Sequence, residues 1–306
     1  MAGAVGGGRT VSRTYQPVKT WLLLPSWLAI GFFLLLPVLI MLVYSFLTKE
    51  FRGGVIWEFS LAAYDQFIFD RGLFGDDPPQ IEWTYIVIIA RSVVQAAVAT
   101  IVCLVIGFPT AFFIATRPAD TRNIWLFLIT VPYWVNLLIR TVSMKFLIRD
   151  NGPLNEGLLA LGVISEPLPL VNTDFAVQLG LFYSYLPFMV LPIYASVERY
   201  NFALSEAAAD LYAGRWTILW QILIPVVMPG IIAGCILVFV PSLGAFLAPD
   251  LLGGAKNWMI GSLIEDQFKG AAGNWPFGAA ASMILLSMVL IVLIFYARRQ
   301  ARGEAS

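Results

Sequence analysis

The 306-residue chain has no histidine, only two cysteines, and few charged residues, which make up 12% of it. Each scarcity excludes something. Without histidine, a zinc site or a histidine-based catalytic centre is disfavoured, although carboxylate chemistry stays open. Cys103 and Cys235 each lie inside an apolar run, so they give no disulfide framework. No G-x-x-x-x-G-K-[ST] phosphate loop occurs, so the chain brings no ATPase motif of its own. Ordinary soluble domains carry about a quarter charged residues, far more than this chain does.

What is abundant is apolar. The chain is 59% hydrophobic, with a mean hydropathy of +0.80, which marks an integral membrane protein. Six stretches are long enough to cross a bilayer, which takes about 20 residues each. They run over 21–47, 84–116, 124–148, 175–197, 225–248 and 277–297. The first lacks a small-residue cleavage site at its end and is read as an uncleaved helix. Short surface helices are expected at 61–69 and 154–162. The fold class is therefore all-α and polytopic. A single membrane domain, 21–297, lies between tails at 1–20 and 298–306.

The net charge is zero, but the charges are unevenly placed. With the N-terminus inside, the segments 1–20, 117–123, 198–221 and 297–306 hold ten Lys/Arg and five Asp/Glu, against six and fourteen on the other side. Positive charge stays inside, so both termini are expected in the cytoplasm. The outer face is acidic.

The six spans hold three basic residues, Arg91, Arg140 and Lys145, and no acidic one. Intramembrane charge is costly enough to suggest function by itself. Asn136 and Arg140 fall one helical turn apart, after Trp134, on a face suited to an aqueous cavity. Alternatively, Arg140 and Lys145 snorkel outward or pair with carboxylates such as Asp150. The fifth span carries Gly230 and Gly234 at the spacing of a close helix contact. Pro241 and Gly244 should break its outer half, exposing carbonyls against a cavity. Trp134, Asn136, Arg140, Tyr185 and Asp250 are the candidate path residues. Glu82 and Asp174 join Asp250 as acidic groups at the outer edge.

One polar island interrupts the apolar runs: residues 206–225, EAAADLYAGRWTILWQILIP. Glu206 to Ala209 favour a helix, with Ser205 as an N-cap, and Gly214 breaks it before a second turn or two that lead to Pro225. The stretch resembles the EAA loop of type-I (MetI-like) ABC importer permeases. Glu206, Ala207, Ala208, Ile222 and Pro225 fall on that family's spacing. Tyr212 stands where the family has the glycine of the turn. The first helix is therefore expected to run past 212 and turn at Gly214.

The resemblance reaches from about residue 20 to 297. NLLIRTVSMKFLIRDNGPLNEGLLALG, SYLPFMVLPIYASVERYN, LLGGAKNWMIGSLIEDQF and NWPFGAAAS look like the polyamine (spermidine/putrescine) branch, and opine and other amino-compound importers share them. The family implies a helix–turn–helix coupling loop at 199–224, with Glu206, Ala207, Ala208, Asp210, Gly214 and Arg215 at the ATPase contact. It also implies two ATPase subunits carrying ATP and Mg, a second six-helix permease, identical or homologous, and a periplasmic binding protein. No cofactor or metal is expected in this chain and no nucleic acid as partner; the location implied is the bacterial inner membrane. A polyamine needs carboxylates that these spans lack, whereas an opine would welcome Arg140. An ion-coupled secondary transporter is the remaining alternative, without intramembrane carboxylates to couple it.

Overall fold

The computed structural model describes residues 20–50, 54–70, 80–254, 256–269 and 273–303. Most of both tails and parts of the 48–82 and 249–274 loops thus lie outside the described residues. Helix α1, Thr20–Tyr44, contains Pro25 and Pro37, carries no buried residue along its apolar run, and leans on the last helix. After it, strands Leu47–Lys49 and Val55–Phe59 pair antiparallel, as do Phe69–Asp70 and Gln80–Ile81. Between them α2 covers only Ala62–Asp65, shorter than the surface helix expected at 61–69.

Helix α3, Trp83–Ala115, has 33 residues. At about 1.5 Å per residue it exceeds a hydrocarbon core of about 30 Å, so one end must emerge. Helix α4, Ala119–Thr130, continues as a tight turn over Val131–Trp134, and α5, Leu137–Ile148, starts afresh. The third span is thus no single helix. The two halves bend by 92° at a break of two residues. Pro132 lacks the N–H that a helix needs and imposes the tight turn, and Val135 is extended. Helix α6, Pro153–Ala160, lies in the following loop. Among the described residues, five helices are long and apolar enough to cross a membrane, and six if the bent pair counts as one span.

The core forms around α7, Asp174–Glu198, packed between α3 and α10. Beyond α7 come α8, Ala203–Asp210, and α9, Arg215–Thr217. Helix α10, Ile224–Leu243, follows α9 through a π-helical turn at Ile218–Leu223 without interruption. That turn lies just before Pro225, whose missing N–H would leave a gap in an ordinary α-helical ladder. The small residues read from the sequence explain the packing. A Cβ at Gly230 would lie 2.2 Å from Ser196 Oγ and 2.6 Å from the Pro192 carbonyl, and one at Gly234 would lie 2.9 Å from Met189 Sδ. Cys103, Met189, Ile193, Val197, Val227 and Val238 fill the seam. Helices α11, Ile260–Lys269, and α12, Trp275–Gly303, complete the chain.

Candidate translocation path and coupling loop

Helix α10 separates two features. At its N-terminal end lies the polar island, and at its C-terminal end the helix breaks.

The polar island starts where α7 ends. Asn201 Oδ1 accepts from Ala203 N–H at 3.1 Å and opens α8. Ser205 therefore is not the N-cap expected from the sequence; its hydroxyl meets Tyr200 Oη at 2.6 Å, on a buried ring. Helix α8 stops at Asp210, and Tyr212 adopts φ 61°. The Ala213 N–H donates to Ala208 O at 3.0 Å and the Tyr212 N–H to Ala209 O at 2.9 Å. This is a Schellman end with tyrosine in the left-handed position that glycine usually takes. The expectation that the helix would run past 212 and turn at Gly214 is wrong. Gly214 has φ −67° and ψ 155°, extended backbone that precedes α9. Tyrosine can hold the turn because its ring projects outward and meets no neighbour, at 98% exposure.

Glu206, Ala207, Asp210, Gly214 and Arg215 are exposed, and Ala208 is half-buried. Alongside them Leu204, Leu211, Tyr212, Trp216 and Trp220 are exposed too. These apolar residues complete the surface of the loop; of them only Tyr212 was singled out in the sequence, where the others read as part of the helical pattern. Beneath, Arg122 on α4 pairs with Glu198 on α7 at 2.7 Å and donates to Ala115 O at 3.2 Å, tying three helix ends together.

The opposite end is organised by broken helices. Helix α10 stops at Leu243, as Pro241 and Gly244 suggested, and the chain resumes helically only at 247–253, with a π turn at Pro249–Gly253. Gly261 of α11 sits against the freed carbonyls: a Cβ there would lie 2.5 Å from Ala245 O and 2.6 Å from Gly244 O. A cavity of about 90 Å³ lies between this break and the neighbouring helices, lined by Leu137, Thr141, Ser184, Tyr185, Phe246 and neighbours. Tyr185 donates to Pro241 O at 3.3 Å.

The other path candidates fall differently. Asn136 caps α5, accepting from Leu138 N–H at 2.9 Å. Arg140 is buried, at 6% exposure. Its Nη2 donates to Tyr133 O at 2.9 Å and Val135 O at 2.7 Å, the carbonyls released by the 92° break. The guanidinium also lies 5.6 Å from the Tyr133 ring centroid and 5.9 Å from that of Tyr183. Arg140 thus neither snorkels outward nor pairs with Asp150; it braces the break. Trp134 is 79% exposed, and Asp250 is exposed on the π turn. Glu82 caps α3 through Thr84 N–H. Asp174 is engaged by Arg91 and accepts from Gln95 Nε2 at 2.8 Å. Arg91 also binds Lys256 O at 2.8 Å and the Asn257 side chain, so one cation locks α3 to α7 and to the loop before α11.

Residues 103–300 match the family model described as "Binding-protein-dependent transport system inner membrane component". The chain belongs to this family. As an inner-membrane transport component of the MetI-like kind, it is a transport subunit rather than an enzyme. It is 42% identical over 273 residues to the spermidine/putrescine transport system permease protein PotB of Escherichia coli K12, covering 89% of this chain and 94% of that one. The PotB protein of Haemophilus influenzae is 37% identical over 289 residues, covering 94% and 95%. Among solved structures, a bacterial ABC transporter importing the acidic polysaccharide alginate aligns with a TM-score of 0.67 at 16% identity, covering 92% of this chain and 94% of that one. The MetNI methionine transporter aligns at 0.55 and 16% identity, covering 72% and 96%. At such identity these two speak for the fold, and the fold is that of ABC importer permeases.

Proposed function

We propose that this chain is the polyamine-translocating permease subunit of an ATP-driven importer, carrying spermidine or putrescine inward by alternating access. The observation that carries the reading is 42% identity to a spermidine/putrescine permease along nearly the whole of both chains. Beyond the shared sequence stretches, the opine alternative rested on Arg140 being free to meet a carboxylate. That guanidinium is instead buried against two backbone carbonyls, and this argument for an opine falls away.

The partners follow from the same reading: two ATPase subunits, a second six-helix permease and a periplasmic binding protein, with both termini in the cytoplasm. The exposed loop at 203–220 is the surface offered to the ATPase. Its charged residues Glu206, Asp210 and Arg215 flank an apolar knob of Leu211, Tyr212 and Trp216, a mixture suited to a protein groove. Below the knob, Ser205 of α8 bonds the buried Tyr200 just past the end of α7, so a push on α8 is passed toward α7 as rigid-body motion. The family pattern matches at Glu206, Ala207 and Ala208, whereas the turn is made by Tyr212.

Reconstitution into vesicles with the ATPase, second permease and binding protein tests the substrate. Labelled spermidine should accumulate only with ATP, and uptake driven by an ion gradient without ATP would refute the reading. Deleting residues 206–214, or Glu206→Lys, should release the ATPase during co-purification. An ATPase that stays bound after the deletion would remove the coupling assignment.

A further inference from the structure

The groove beside the break of α10 holds a carboxylate, the group that the six apolar stretches of the sequence lack. It measures about 510 Å³ between α10, α11 and α12, and among its lining residues Glu265 alone is charged. The other walls are mainly apolar, contributed by Val240, Ile264, Leu285 and Val289. The Glu265 side chain is largely covered, at 20% exposure. Phe246 lines this groove and also the smaller cavity beside Tyr185, as does Gly244, so the two spaces adjoin at the break. Ser262 Oγ, donating to Phe246 O at 3.3 Å, and Gly261, close under the same break, hold α11 there.

Two residues that line the groove already meet an ammonium group. Lys269, one turn along α11, reaches back so that Nζ bonds Glu265 Oε1 and lies 5.9 Å from the Phe246 ring centroid. Its side chain is 72% exposed, so little packing fixes it in place. A primary ammonium on four methylenes is the same chemical group as an aminobutyl end of putrescine or spermidine. Carboxylate plus ring face is also what such a group selects once desolvated.

We propose that Glu265 and Phe246 form a receiving site for a primary ammonium of the transported amine, which Lys269 occupies when substrate is absent. The inference rests on the polyamine reading above and names the groups that meet that substrate. It also answers how spans without carboxylates handle a cation: the carboxylate comes from the interrupted segment between α10 and α12. Exchange of one ammonium for another keeps Glu265 paired throughout, so arrival of substrate leaves no bare charge behind. An i,i+4 pair whose lysine stays largely in solvent binds weakly, which suits a side chain that must be displaced.

The test uses the complete transporter in vesicles, with labelled spermidine and the binding-protein-stimulated ATPase measured together. Glu265→Gln should lower uptake roughly tenfold, the loss expected of one charge-assisted bond, while the ATPase still responds to binding protein. Glu265→Asp should recover part of it. Lys269→Met removes the competitor and should raise uptake at low spermidine. If the pair merely stabilises α11, Glu265→Gln and Lys269→Met will lower uptake alike. That result, or full uptake by Glu265→Gln, overturns the site. Failure of the unaltered transporter to import polyamine would instead overturn the substrate reading itself.

Discussion

Tyr212 carries φ 61° where a side chain other than glycine costs about 1–2 kcal/mol. Two backbone bonds of the Schellman end and a ring free of neighbours allow it. Tyr212→Gly should therefore keep the turn and slow amide exchange at Ala213, whereas Tyr212→Val should speed it by about tenfold, since a β-branched residue fits left-handed backbone worst. Hydrogen exchange on the detergent-solubilised protein reads both. Equal exchange in Gly and Val variants would mean that the backbone carries no strain. The sequence showed that a family glycine was missing. It could not show that tyrosine would take the glycine's conformation, because that depends on what surrounds the ring. Arg140 teaches the same lesson. Its position one turn after Asn136 was legible, but its partners were created by a bend that the apolar composition hides.

At the scale of elements, α7, α3 and α10 pack so closely that small residues set the spacing. Gly230→Ala places a methyl group 2.2 Å from Ser196 Oγ and 2.6 Å from Pro192 O. Overpacking of this kind costs about 1–3 kcal/mol. The variant should melt several degrees lower in detergent, and adding Ser196→Ala should restore only part, because the Pro192 carbonyl cannot retreat. An unchanged melting temperature for Gly230→Ala would show that the two helices separate freely there. The Gly230–Gly234 spacing announced this contact, since four-residue spacing puts both on one face. The break after Leu243 was announced equally by Pro241 and Gly244. The 92° bend was not: Pro132 was visible, yet proline in a long apolar run is as compatible with a mild kink, and α1, α7 and α10 each contain prolines without such a bend.

For the whole molecule, the proposed function requires the two ends of the bundle to face different compartments. In a variant whose Cys103 and Cys235 are replaced by serine, a single cysteine at Tyr212 should react with an impermeant thiol reagent only in inside-out vesicles. One at Asp250 should react only from the opposite side. Labelling of both from one side would contradict the orientation derived from Lys/Arg placement.

The sequence by itself determined that this is a helical membrane protein, where its apolar stretches lie, and where the polar island that matches the family's loop pattern sits. Hydropathy and a fixed local spacing are properties of neighbouring residues, readable without a fold. Only the tertiary structure decided which charges are free. Arg91 meets a loop 165 residues away, Asp174 is taken by that same arginine, and Arg140 is taken by carbonyls at a bend. Glu265, a loop residue on the charge map, became the carboxylate of an apolar groove once α11 folded back onto the broken end of α10. Whether a charge can meet substrate depends on long-range partners in a low-dielectric interior, and no local pattern encodes those.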